Sequence, residues 1–445
     1  MNLLEALYNA LRLPELRNKL IFTGLLLVIF RLFANITIPG AKQDALAQLF
    51  SSQAILSLLD LFSGGGLSNF SVVAMGLNPY INATIIMQLM RVVSTRLKEI
   101  SEEGEMGRRR MTRWTRYLTV ALAAGQAYGL TVLFQNINPA ILPANLEWFQ
   151  RLAIIVVLTS GTILLMWLGE LITEYGIGNA VSLIIFAGII GRAPRTIFST
   201  VQAHSGGGGL ADYLPFILFV VIALVVTAFI IEVQQAVRKI PIQSAQRVVG
   251  GARTIQARAS FLPLRVNTAG VIPIIFAISI MFFPTIIANY FRAAPTDTWY
   301  YKAATWLQEN FQPTAPSLQM AILYNALYFL FVFGFTYFYT QVVFDPIDVA
   351  DNLKRYSSFI PGIRPGRPTA EYLTAVMNRV TFAGAIFLGL ITVVLPITTS
   401  RISGIPQTQM YLGGTAILIV VGVALDTMKQ LETQLVMRQY RGFIR

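Results

Sequence analysis

The chain has 445 residues, 55% of them hydrophobic and only 12% charged, with 34 basic against 21 acidic side chains and a mean hydropathy of +0.61. That balance lies outside water-soluble globular composition and inside the polytopic membrane class. No cysteine is present, which excludes disulfides, thiolate metal sites and cysteine nucleophiles; the single histidine, His204 beside the Gly206 to Gly209 run, lacks the convergent partners of a metal site.

At the start of the chain, Leu3, Leu4, Leu7, Tyr8 and Leu11 share one helical face, so residues 1–20 are expected to form an interfacial amphipathic helix. The apolar run after Lys19 is longer than a signal-peptide core and lacks a small-residue cleavage site, so the first span, Leu20 to Ile38, is expected to stay attached. Next comes Leu61 to Leu89, LFSGGGLSNFSVVAMGLNPYINATIIMQL, which is apolar but interrupted. Gly64, Gly65 and Gly66 weaken any helix, and Asn78-Pro79 removes a backbone donor, so the stretch divides into two short pieces. Non-helical backbone at bilayer depth is tolerated only where protein buries it or water lines it, so this break points to a cavity or pore. Further apolar runs follow at Tyr117 to Gln135, Leu152 to Gly169, Ile177 to Gly191 and Tyr213 to Ile231. They continue at Val266 to Phe291, Leu318 to Phe344, Val380 to Ser400 and Tyr411 to Leu425. Together with the first two, this predicts an all-α polytopic membrane protein of ten spans, each needing roughly 20 apolar residues.

Basic residues in short loops stay cytoplasmic. Of the 34 Lys and Arg, 26 fall in the N-terminus, Arg91 to Arg116, Arg238 to Arg265, Lys354 to Arg379 and the tail from Lys429. Both termini are therefore expected in the cytoplasm, with five spans on each side of Ala211. If the two halves are structurally related they must be inverted, which puts function at the midplane between them. The expected organisation is residues 1–20, then an N-terminal half 21–211, then a C-terminal half 212–445 with cytoplasmic loops 232–265 and 345–379.

The spans are almost empty of ionisable groups, which in ion-coupled transporters mark the pathway. Arg31 is expected to snorkel at the outer interface, and Glu170 and Glu174 to reach water at the end of the fourth span. No catalytic constellation, metal site or cofactor site is expected. The cytoplasmic segments are rich in charge: Arg108, Arg109 and Arg110 follow an acidic patch, and Arg247, Arg253 and Arg258 are spaced through a polar loop. Prolines at 241, 346, 361, 365 and 368 suggest ordered protrusions that dock something large and acidic, such as ribosomal RNA or the acidic face of a soluble protein.

Many ordered strings along nearly the whole chain resemble the SecY family of protein-conducting channel subunits. They include ITIPG (Ile36 to Gly40), LFSGGGLS (Leu61 to Ser68), NPYINATIIMQL (Asn78 to Leu89), EEGEMGRRR (Glu102 to Arg110) and GTILLMWLGELITEYGIGNAVSLIIFAGI (Gly161 to Ile189). LPLRVNTAGVIP (Leu262 to Pro273), DNLKRYSSFIPGIRPGRPT (Asp351 to Thr369) and YLGGTAILIVV (Tyr411 to Val421) continue the series. The resemblance implies two inverted five-helix halves around a central hourglass pore that passes unfolded secretory polypeptides and releases hydrophobic segments sideways into the bilayer. It also implies a plug, a movable half-helix over Asp60 to Val73 that includes Phe62, Ser63, Gly64, Gly65, Gly66, Leu67, Ser68, Asn69 and Phe70. A pore ring is implied at Ile81, Ile85, Val181, Ile185, Ile275 and Ile419; Val181 stands where the family often has isoleucine. A lateral gate is implied near Asn82, Gln88, Gln126 and Asn267.

Partner docking is implied at Arg247, Arg253, Arg258, Arg364 and Arg367, although Gly251, Ala252 and Arg253 stand where the family frequently has a glycine followed by two basic residues. The implied partners are SecE-like and SecG-like membrane subunits, a SecA-type motor ATPase, the ribosome, signal peptides and the lipid bilayer. The implied location is a bacterial plasma membrane or a thylakoid membrane. On the residues alone, a secondary transporter with broken helices at an inverted-repeat interface is the alternative, and a scaffold without transport explains the loops but not the broken second span.

Overall fold

The computed structural model describes residues 12–52, 60, 63–136, 140–143, 145–204, 210–244, 260–291, 298–312, 317–403 and 414–442. Helices dominate. In chain order they are α1 (Pro14–Asn35), α2 (Gln43–Ser52), α3 (Asn78–Val93), α4 (Thr95–Glu102), α5 (Glu105–Asn136), α6 (Trp148–Tyr175), α7 (Ala180–His204) and α8 (Leu210–Gln235). After two strands come α9 (Ile272–Phe291), α10 (Trp299–Asn310), α11 (Leu318–Val343), α12 (Pro346–Arg355), α13 (Arg367–Ser403) and α14 (Gly414–Gly442).

Among the described residues, six helical segments are long and apolar enough to cross a membrane, centred on α5, α6, α8, α11, α13 and α14; α7 and α9 contribute shorter apolar stretches, Ala180–Pro194 and Ile272–Thr285. The helix starts follow local chemistry. Proline occupies the first turn of α1, α3 and α12, where its missing N–H costs nothing. Ser317 caps α11 by accepting from Met320 N at 3.3 Å, and Asp345 caps α12 by accepting from Ile347 N at 2.8 Å. Pro79 therefore opens α3, whose 16 residues rise only about 24 Å, less than a bilayer core.

Several helices outrun their apolar runs. The basic segment Arg91 to Arg116 is mostly helical, made of α4 and the first turns of α5, where Glu105 and Arg109 pair at 2.6 Å across one turn. The 37-residue α13 starts at Arg367 and rises about 55 Å, well beyond any bilayer core. At the other end of the chain, Pro14 to Asn35 is one continuous helix, and Leu16 in its first turn packs with Ile177, Leu431 and Leu435. Residues 1–11, most of the expected amphipathic segment, lie outside the described residues.

The helical architecture carries one small sheet. The strands β1 (Val237–Ser244), β2 (Ser260–Arg265) and β3 (Ser358–Phe359) form an antiparallel sheet in the order β2-β1-β3, with Val237 opposite Arg265 and Gln243 opposite Phe359. Ile240 and Leu264 project from it onto Ile360, Leu373, Val376 and Met377, so two segments read as separate loops share a small core of their own.

The helices pack as two groups. In the first, α5 lies on α3 and α6, and α1 and α7 close behind α6; in the second, α9, α11 and α13 pack in series while α8 and α14 brace α13. The groups meet along two seams, α9 against α3 and α5 on one side, and α7 against α8 and α14 on the other. One large apolar core runs through both groups. Close approach at its centre depends on Gly161 of α6, whose Cα lies directly against the Val72 carbonyl, so an added Cβ would overlap that oxygen. Gly24 of α1, by contrast, has open space where a Cβ would go. Gly161→Ala is predicted to destabilise the fold by about 1–3 kcal/mol through overpacking, and Gly24→Ala to stabilise it by about 0.5–1 kcal/mol through helix propensity. Thermal unfolding of the two variants in one detergent checks this: a lowered Tm for the first and an unchanged or raised Tm for the second.

Candidate functional site

Ahead of α3 the chain leaves regular secondary structure. From Gly64 to Leu77 it runs as consecutive turns, broken by one bridge that pairs Ser71 with Thr37. Gly64, Gly65 and Gly76 adopt positive φ, as does Phe70 at 44°, so residues 64–77 form a string of reversals, while Asp60 and Ser63 at the start of the expected half-helix are helical. Its backbone is nonetheless well satisfied. Ile38 N donates to Phe70 O at 2.9 Å, Val72 N to Ile36 O at 3.0 Å, Gly65 N to Asp60 O at 3.0 Å and Ser71 N to Gly66 O at 2.8 Å.

The apolar side of this segment drops into the core. Leu67, Phe70 and Val73 are buried there, and the Phe70 ring lies 5.2 Å from that of Phe134, a contact worth about 0.5–1.5 kcal/mol beyond area burial. In the same apolar cluster lie Ile81 and Ile85 from α3, Ile185 from α7, Ile275 from α9 and Ile419 from α14, all buried, with Val181 of α7 packed at its margin. Helices distant in sequence thus contribute all six aliphatic positions to the core that also receives the turns.

The polar side of the segment is gripped by charge. The Asp60 carboxylate is fully buried and pairs with the Arg192 guanidinium of α7. Its Oδ1 also accepts from Ser68 N at 2.9 Å and Ser63 Oγ at 3.1 Å, while Arg192 Nη2 donates to Ser68 Oγ at 2.7 Å. From α1, Arg31 Nη1 donates to Gly64 O at 2.6 Å and Nη2 to Gly191 O at 3.1 Å. Removing one partner of a buried ion pair typically costs about 3–5 kcal/mol, because the survivor is left without a counter-charge. The glycines are explained by this grip as much as by their conformations. A Cβ on Gly65 would sit 2.8 Å from Arg192 Cδ, one on Gly191 would sit 2.7 Å from Arg31 Cζ, and one on Gly64 would sit 2.6 Å from Phe30 Cζ.

Arg31 is therefore not a free interfacial anchor as expected from the sequence: it holds two carbonyls far apart in the chain, Gly64 and Gly191. Arg192 escapes a hydropathy reading because the apolar run ends at Gly191, which leaves it counted with the outer loops. The available signal is Asp60 itself, an acid at the flank of an apolar segment that needs a partner at membrane depth. Glu170 likewise does more than face water, since it accepts from Arg116 Nε at 2.7 Å and ties α6 to α5.

Asn82 and Gln88 of α3 and Gln126 of α5 sit on the two helices that meet α9. Asn82 is buried, and the Gln88 Oε1 atom is buried without a hydrogen-bond partner. Asn267 does not bond across helices: its Nδ2 donates to Gly270 O at 3.1 Å, three residues on, in the turn before α9. Of the basic positions, Arg247, Arg253 and Arg258 lie outside the described residues, as does Phe62. Arg364 is exposed at the tip of a loop whose flanking Ile360 and Ile363 pack into the core beneath the sheet. Gly362 and Gly366 turn the loop at positive φ, and Thr369 Oγ1 pins it by donating to Arg364 O at 2.8 Å. Arg367 is also exposed but pairs with Glu371 at 3.2 Å.

Comparison with known proteins gives one consistent answer. The SecY family profile matches residues 71–428. The chain is 42% identical to the protein translocase subunit SecY of Halalkalibacterium halodurans, covering 98% of this chain and 99% of that one. It is also 42% identical to the SecY subunit of Bacillus subtilis, over 99% of each. Among solved structures it is similar to a protein-conducting channel, with a TM-score of 0.64 at 19% identity over 94% of this chain and 92% of that one. Sec61 from a canine ribosome-channel complex follows at a TM-score of 0.62, 18% identity and the same coverage. The protein is a multi-pass membrane protein whose sequence relatives are bacterial, and it belongs to the SecY family.

Proposed function

We propose that this chain is the protein-conducting subunit of a bacterial translocase, a passive conduit for unfolded polypeptide driven by partners rather than by chemistry of its own. The observation that supports this is that Ile81, Ile85, Ile185, Ile275 and Ile419, with Val181 at the margin, belong to the same apolar core that takes in Leu67, Phe70 and Val73 of the turn segment. Such side chains form a ring that closes around a passing chain and, when idle, resists water and ions by dewetting. The turn segment is the plug that stands over the ring; a solved SecY relative is described as having a plug domain that stabilises the closed state and maintains a membrane seal.

In this scheme the ten spans are α1, α3, α5, α6, α7, α8, α9, α11, α13 and α14, arranged as two inverted halves that meet at residue 211, with both termini in the cytoplasm. The seam of α9 with α3 and α5 supports a lateral gate there. A secondary transporter is the weaker assignment, because Asp60, Arg31 and Arg192 are already engaged in holding protein backbone and one another. The plasma membrane is the location that the bacterial relatives favour.

Docking is assigned to the cytoplasmic face. The sheet and the 360–369 loop rest on one small core, so Arg364 is presented from a stiff base and little ordering cost opposes partner binding. A ribosome, as in the complexes of the Sec61 and Ssh1 relatives, and a SecA-type motor are the partners this face suits, with SecE-like and SecG-like subunits in the membrane.

A photocrosslinker at Ile275 is predicted to capture a stalled secretory chain, and one at the lipid-exposed Leu224 of α8 is predicted not to; no capture at Ile275 would contradict the conduit. Arg364→Glu is predicted to lower export at least about ten-fold, as loss of a desolvated charge contact does, while the protein accumulates in the membrane at its normal level. Pulse-labelled precursor processing together with membrane fractionation reads both, and normal export would contradict the docking assignment.

A further inference from the structure

The segment assigned as the plug has two kinds of attachment. Leu67, Phe70 and Val73 hold by apolar burial, which any passing hydrophobic segment can replace. The second attachment is directional: Arg192 grips Asp60 and Ser68 from α7, and Arg31 grips the Gly64 carbonyl from α1. We propose that Arg192 and Arg31 are positioning residues that form a polar latch on the plug, engaged through Asp60. The proposal rests on the plug assignment above and adds to it the residues that hold the plug shut.

The geometry supports a latch rather than incidental pairing. The Asp60 carboxylate is fully buried and uses both oxygens, one toward Arg192 and the other toward Ser63 and Ser68 of the plug itself. Each guanidinium bridges two points: Arg192 spans Asp60 and Ser68, and Arg31 spans Gly64 and Gly191, so α1, α7 and the plug are tied at one place. Glycines at 65 and 191 leave room for the two arginine heads, which no larger residue would permit without moving them. Charge-assisted bonds of this kind are stronger than neutral ones, so they add a directional hold to the apolar one.

Because Asp60 is the more deeply buried partner, the two single neutralisations are not equivalent. Arg192→Gln removes the guanidinium that pairs with the buried carboxylate, whereas Asp60→Asn keeps an acceptor for Ser63 and Ser68 and relieves the buried charge. The test uses the complete channel, copurified with its membrane subunits and reconstituted in vesicles, and measures resting halide influx beside translocation of a secretory precursor. Arg192→Gln is expected to raise resting influx at least about ten-fold, Asp60→Asn less, and the double variant to resemble Asp60→Asn, with precursor translocation retained throughout.

Because the chain has no native cysteine, Leu67→Cys provides a second readout: labelling by a membrane-impermeant maleimide is expected to be slow alone and faster with Arg192→Gln or Arg31→Gln. Influx and labelling within about two-fold of the parent in Arg192→Gln, with translocation intact, would overturn the latch and leave the channel assignment standing. Failure of the unaltered channel to translocate any precursor would instead overturn the assignment on which the latch rests. Should Arg192→Gln not assemble, Arg31→Gln decides by the same two readouts.

Discussion

Backbone crossing a membrane protein outside a helix must find a partner for every N–H and C=O, since no water is there to supply one. The turns from Gly64 to Leu77 meet that requirement through their neighbours. Ile36 and Ile38 lend one strand-like edge, the turns bond among themselves, and Arg31 reaches across from α1 to the Gly64 carbonyl. Everything else at the centre of the molecule is arranged around these bonds: the glycines that admit two arginine heads, the close approach of Gly161 to Val72, and the short α3 that begins only once the turns end at Leu77.

In the proposed channel, the same requirement lets the segment move. A transmembrane helix carries its hydrogen bonds with it, but a set of turns held by neighbours can exchange those bonds for water when water arrives. Beside it, the aliphatic positions on α3, α7, α9 and α14 have no directional bonds to lose, so side chains there can part and close again at little enthalpic cost. In the proposed channel, movable turns and a compliant apolar waist divide the work of a seal that must also open.

Much of this is legible in the order of the residues. The apolar runs locate the helices, and the Gly64 to Gly66 run with Asn78-Pro79 marks where helix fails, because those signals are local. Asn78 is indeed a helix start. The six aliphatic positions are legible only through family motifs, since Ile81 with Ile85 at helical spacing looks like any packed span. What escapes depends on partners far apart in the chain. Asp60 and Arg192 are separated by 132 positions, and nothing at either one names the other. Arg31 near a helix end resembles an interfacial anchor for the same reason.

The charged segments between the apolar runs are harder to read. Hydropathy ends the spans where charge begins, at Tyr117 and at Val380, yet α5 starts at Glu105 and α13 at Arg367, because charged residues are good helix formers when no hydrocarbon surrounds them. The sheet is hidden for another reason: β1 and β3 pair across a long stretch of chain, and β3 is only two residues long. The most direct measurement is of transport itself. In vesicles holding the purified channel complex, a motor and ATP, an unfolded secretory precursor should become protected from external protease in proportion to channel content. Protection no greater than in channel-free vesicles would contradict a protein-conducting role.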